Sequence, residues 1–168
     1  MKYFFFQKFF AILFFSLIVQ ISLMAQIDIK TKVDAETYAN YSKAIDLFEK
    51  NINPNDVVTL FIPINYAVTD RLNQYQTIFV NKDNNAINSF IEHHTVQKFI
   101  SEEALRQDVF NLNLDRTEKF NSNNTYHFVK NGSLVMLTDK LSFEANIEKS
   151  IQISSNIILY FIQSVVKY

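Results

Sequence analysis

A chain of 168 residues, 48% apolar and 20% charged, is long enough for one folded domain and too apolar for a disordered one. Its one glycine excludes phosphate loops and dinucleotide fingerprints, and the absence of cysteine excludes disulfides, thiolate zinc sites, cysteine nucleophiles and iron–sulfur clusters. A formal net charge of −1 leaves no basic surplus, so no nucleic-acid partner is expected.

Lys2 and Lys8 bracket an aromatic start, Tyr3-Phe4-Phe5-Phe6, and from Phe9 to Met24 only Ser16, Gln20 and Ser22 interrupt an apolar run. The first acidic residue is Asp28, and a small residue stands at Ala25. This order reads as a secretory signal peptide over 1–25, cut between Ala25 and Gln26. The run of about 16 residues falls short of the ~20 that cross a bilayer, so cleavage is preferred over retention as an anchor. The expected location is therefore periplasmic, cell-surface or extracellular. A membrane association is expected only if the signal stays uncleaved. The Asn-, Lys- and Ile-rich composition suits a low-GC bacterium, where the sequons at Asn40, Asn123 and Asn131 would be silent.

Beyond the leader, Tyr38, Tyr41, Ala44, Ile45 and Phe48 recur at spacings of 3 and 4, which predicts a helix over 35–50 with Asp34 as its N-cap. Asn51 to Asp56 is turn chemistry around Pro54. Val57 to Ile62 is β-branched and aromatic and predicts a buried strand stopped by Pro63. A short helix is expected over 66–76, with Ala67, Leu72 and Tyr75 inward, followed by a short apolar piece, Ile78-Phe79-Val80, that is compatible with extension. A further helix is expected from Ala86 to His94, and Ser101-Glu102-Glu103 opens another.

The period then changes to two. Asn111-Leu112-Asn113-Leu114 alternates, and Asn131-Gly132 separates two strand-like runs between Thr125 and Leu137, predicting a hairpin with a type I′ turn. Leu141 to Ile153 alternates weakly, and Ile157 to Val166 reads as a last strand. Helices first and strands later predict an α+β fold with a mostly antiparallel sheet.

Three segments together carry a resemblance. Thr59-Leu60-Phe61-Ile62-Pro63-Ile64-Asn65-Tyr66-Ala67-Val68 contains Thr, Phe, Pro, Asn and Ala at matching places in a T-V-F-A-P-T-N-x-A-F pattern. Phe90 to Val96, followed by Lys98-Phe99, resembles L-L-x-Y-H-V-V-x-G-K-Y, with His94 on the histidine and His93 in place of the tyrosine. Ala145 to Gln163 aligns without a gap to A-N-I-x-x-x-D-I-x-A-S-N-G-I-I-H-V-I-D, sharing Asn146, Ser155 and Asn156. In this order and near this spacing, the chain resembles a fasciclin (FAS1) domain, here over 28–168. It departs at Ile151, Ile157, Tyr160 and Gln163, which replace an aspartate, a glycine, a histidine and an aspartate.

The resemblance implies a single-domain, wedge-shaped FAS1 fold and a secreted adhesion module that meets a protein or glycan at the cell surface or in the matrix. It also implies that the tyrosine–histidine segment takes part in adhesion, so His93 and His94 are the candidate partner-binding residues. Thr59, Phe61, Pro63, Asn65, Ala67, Asn146, Ser155 and Asn156 are expected to hold the fold together. Alternatives are a secreted hydrolase-like or ligand-transforming domain on a similar scaffold, and a structural subunit of an envelope assembly.

The residues themselves offer little chemistry. Adjacent histidines on a helix point about 100° apart, so His93 and His94 cannot share one metal ion, and His127 is remote in sequence. His94 is expected to be partly buried and bonded to backbone, and His93 to be solvated. Glu102-Glu103 after a serine suits a helix start, and Asp139 with Glu144 lacks any recognised nucleophile nearby. No catalytic residue, metal or cofactor is expected. Exposed tyrosines would suit sugars or protein surfaces, but composition does not separate them from core tyrosines.

Overall fold

The computed structural model describes residues 27–70 and 72–166, the side chains of 70–75 excepted. The expected signal peptide with its Ala25-Gln26 cut, and the inward positions of Leu72 and Tyr75, lie outside the described residues.

Helix α1 (Ala35–Asn51) starts where Asp34 accepts the Thr37 N–H at 2.8 Å, and its Tyr41, Ala44, Ile45 and Phe48 are buried. Strand β1 (Val58–Pro63) follows, then α2 (Asn65–Asp70) and α3 (Leu72–Phe79). The single expected helix is thus two. Ile78 and Phe79 continue the second one, because Ile78 packs into the core from a helix without need of extension. Helix α4 (Asn84–His93) begins two residues earlier than the periodicity suggests, since Asp83 caps the N–H groups of Asn85 and Ala86. Strand β2 (Thr95–Val96) and helix α5 (Glu102–Arg106), capped by Ser101, complete this half.

A π-helical turn (Gln107–Asn111) follows α5, and Leu112 and Leu114 are exposed beyond it, so their alternation marks no strand. Strands β3 (Arg116–Lys119), β4 (Thr125–Asn131), β5 (Leu134–Thr138), β6 (Glu144–Gln152) and β7 (Ile157–Ile162) follow. The β4–β5 hairpin forms, with Asn131 paired to Leu134, so Gly132 and Ser133 are the two turn residues. Of these only Gly132 has positive φ, +61°, which displaces the turn by one residue from the expected Asn-Gly type I′ turn.

Among the described residues the strands form one seven-stranded sheet in the order β2-β1-β7-β6-β5-β4-β3. Every pairing is antiparallel except β1 with β7, which is parallel. Strand β6 binds β5 through its first residues and β7 through its last, with a register shift between Ile147 and Lys149. That irregularity bends β6 and turns the sheet into a wedge.

Two cores lie on opposite faces of the central strands. Val58, Leu60 and Ile62 of β1, with Ile157, Leu159 and Phe161 of β7, pack against α1, α3 and α4. Phe61, Ile158, Tyr160 and Ile162 face the other way, onto Phe120, Phe128, Leu137 and Leu105. Burial on both faces is why β1 and β7 are continuous apolar runs, whereas β4 and β5, with one wet face, alternate.

Candidate functional site

The segments singled out by resemblance converge on the central strands. Thr59 is wholly enclosed, and its hydroxyl donates to the Lys98 carbonyl at 2.6 Å while accepting the Ile100 N–H at 2.9 Å. It thereby fastens the segment after β2 to β1. Replacing Thr59 by valine keeps the shape and leaves both backbone groups unmet, at an expected cost of roughly 2 kcal/mol in urea unfolding. A midpoint unchanged by T59V would show that the two groups find other partners.

Phe61 stacks at 5.0 Å on Phe120 and 5.7 Å on Tyr160, and lies 5.8 Å from Phe128. Pro63 ends β1, and the Ile64 N–H goes to the Ile162 carbonyl. Asn65 then opens α2. Its amide donates to the Ala39 carbonyl at 2.8 Å and accepts the Lys43 N–H at 3.1 Å, bracketing one turn of α1. Ala67 packs against the first core. Ser155 and Asn156 form the turn before β7, where the Asn156 carbonyl accepts the Val58 N–H that starts β1.

His94 caps the C-terminus of α4 and is fully buried, its ring stacked 4.2 Å from Phe90. Nδ1 lies 2.7 Å from the Phe90 carbonyl, and the Val166 N–H lies 3.1 Å from Nε2. A carbonyl can only accept and an amide N–H can only donate, so the ring carries its one proton on Nδ1 and is neutral. Burial is the main reason its pKa falls from 6.5 to about 3; the Phe90 carbonyl opposes the shift, and His93 adds to it. A fully enclosed side chain offers no surface to a partner of the folded domain. Of the two candidate partner-binding residues, His93 is therefore the one with accessible surface. His93 is half-buried rather than solvated, and its Nδ1 donates to the Ser89 carbonyl at 2.7 Å. His127 sits on β4 beside Thr117. Among the described residues no three His, Asp or Glu side chains are grouped to hold a metal ion.

The carboxylates noted in the sequence are occupied locally. Glu102 receives the Ser150 hydroxyl and the Arg106 guanidinium, which lower its pKa in that order of weight. Asp139 accepts the N–H groups of Leu141, Ser142 and Phe143 and shapes the β5–β6 loop. The recess over Tyr160, between α5 and the bend of β6, has room for about 20 Å³, on the scale of one water molecule.

Sequence reasoning passed over a polar ladder on the surface. The Asn131 amide, at the end of β4, donates to Asn146 Oδ1 at 2.9 Å, and Asn146 donates to Gln163 Oε1 at 3.4 Å. Gln163 donates to Glu148 Oε1 at 2.9 Å, and the Tyr41 hydroxyl donates to the other Glu148 oxygen. Tyr66 is 55% exposed, and its hydroxyl reaches the Gln163 carbonyl at 3.4 Å. These residues come from β4, β6, α1, α2 and the segment after β7. Only Asn146 and the departure at Gln163 had been visible as signals.

The chain belongs to the Fasciclin domain family, whose model matches residues 33–167. That family is one of cell-adhesion modules, typically extracellular or secreted. Among solved structures the chain is similar to a FAS1 domain pair from the insect cell adhesion molecule Fasciclin I, with 21% identity and a TM-score of 0.53. The match covers 80% of this chain and 47% of that one, so the chain spans about half the length of the domain pair. This likeness shows the FAS1 fold. No curated protein matches the chain significantly. No helix among the described residues is long and apolar enough to cross a membrane.

Proposed function

We propose that the chain is an exported FAS1 adhesion module that binds a protein or glycan partner through its exposed surface and makes or breaks no bond in doing so. The observation that carries this reading is the inward bonding of three family-segment residues. Thr59, Asn65 and His94 spend polar atoms on backbone groups of this chain, so these three hold the scaffold and contact falls to the exposed surface. The leader over 1–25 supports export.

Expression of the full chain in a bacterial host is expected to place it outside the cytoplasm, with a mass that begins at Gln26. The exported protein is then expected to bind at least one component of an array of matrix proteins and oligosaccharides. A cytoplasmic product with Met1 retained would contradict export, and an array without any binding would contradict the adhesion reading.

A further inference from the structure

We propose that Asn131, Asn146, Gln163 and Glu148, with the ring of Tyr66, form a shallow site for a neutral glycan. This rests on the reading of the chain as a surface-binding module and names the ligand class of that surface.

A side-chain amide has two N–H donors and a carbonyl oxygen with two lone pairs. Asn146 gives one N–H to Gln163 and accepts one from Asn131, and Gln163 gives one N–H to Glu148 and accepts one from Asn146. Each therefore keeps one N–H and one lone pair for a ligand. Sugar hydroxyls both donate and accept, and neighbouring hydroxyls on a pyranose ask for such donor–acceptor pairs side by side. The ladder holds its own members in place, so little side-chain freedom is left to lose on binding.

An apolar surface lies beside the polar row. The Tyr66 ring is more than half exposed and is held by its hydroxyl on the Gln163 backbone, which suits it to the C–H face of a sugar. Met136 lies under Asn131, with its sulfur 3.8 Å from Nδ2, and Leu134 pairs with Asn131 at the rim. Charge selects within the class. Glu148 is exposed and takes two hydrogen bonds but joins none of the ion pairs of the described residues, while its neighbour Lys149 is drawn away to Asp34. A carboxylate with no cation partner among the described residues repels uronate, sialate and sulfate groups, so the site takes uncharged sugars.

The test is an array of immobilised neutral oligosaccharides, acidic oligosaccharides and matrix proteins, probed with the exported protein and with Tyr66→Ala, Gln163→Ala and Glu148→Gln. The expected result is binding to neutral sugars, weakened about fivefold or more by Tyr66→Ala and by Gln163→Ala at unchanged melting temperature. Glu148→Gln is expected to narrow the preference for neutral over acidic sugars. Neutral-sugar binding indifferent to both alanine variants, or a preference for acidic sugars, would overturn the site. Binding to proteins alone would overturn the site and leave the adhesion reading standing, and binding to nothing on the array would overturn both.

Discussion

Replacing His94 by alanine is expected to destabilise the domain by roughly 3 kcal/mol, because it opens a cavity and strands two buried backbone groups. The groups are the Phe90 carbonyl and the Val166 N–H, which the imidazole joins from the end of α4 to the segment after β7. His94→Phe separates the two contributions: it refills most of the volume and leaves the same two groups unmet, so a loss of about 1–3 kcal/mol persists. Denaturant unfolding of both variants checks this. Any partner affinity is expected to survive in the folded fraction, because the side chain has no exposed surface. A binding loss at unchanged stability would return His94 to the interface.

The same geometry fixes a pH dependence. The folded pKa of His94, about 3, lies below its ordinary value of 6.5, so between the two the unfolded chain binds a proton that the folded chain does not. Stability from this group is complete above about pH 6.5 and is lost as the pH falls toward 3, at up to roughly 1.4 kcal/mol per pH unit. A native stability of about 5–15 kcal/mol makes that slope visible in melting temperature. In His94→Phe the slope between pH 6.5 and 5 is expected to flatten.

Phe61→Ala is expected to be comparably or more severe, at about 3–5 kcal/mol. Phe61 is completely buried and touches three other rings, so its loss empties the middle of the second core. It also stands on β1, which is flanked by β2 and β7 and, with β7, is shared by both cores. The damage therefore reaches strands on both sides, and thermal unfolding followed by near-ultraviolet circular dichroism measures it. Leu141→Ala is the companion measurement. That leucine is 92% exposed on the β5–β6 loop, and its truncation is expected to change stability by under about 0.5 kcal/mol.

Much of the fold is legible in local chemistry. Asp34 before a 3–4 repeat marks the start of α1, Ser101 marks α5, and the apolar runs at 57–62 and 157–162 mark strands enclosed on both faces. What local chemistry does not carry is long-range pairing. Nothing in β1 or β7 alone says that they lie parallel, because the partner of a doubly buried strand is chosen by the packing of both cores. Short apolar pieces are ambiguous for a related reason. Ile78-Phe79 satisfies a helix as readily as a strand when one side chain alone needs a core, and Leu112 and Leu114 alternate by coincidence of a π-helical turn and a loop.

The candidate site divides the same way. His94 was readable as a bonded histidine, but its second partner, Val166, is 72 residues distant and no spacing rule reaches it. Of the polar ladder, Asn146 and Gln163 stand in a recognisable segment, but their meeting with Asn131 and Glu148 was not readable. Asn131, Asn146, Glu148 and Gln163 meet because β6 bends at Ile147–Lys149 and carries them past the ends of β4 and β7, and a bulge of that kind leaves no periodic mark.

The most direct measurement is the titration of the His94 ring by nitrogen-15 NMR. A neutral imidazole protonated on Nδ1, with no titration from pH 8 down to the acid limit of the folded state, is the result this structure requires. A ring that titrates near 6.5 in the native protein, or carries its proton on Nε2, would mean that His94 faces solvent and that the family histidine is free to meet a partner.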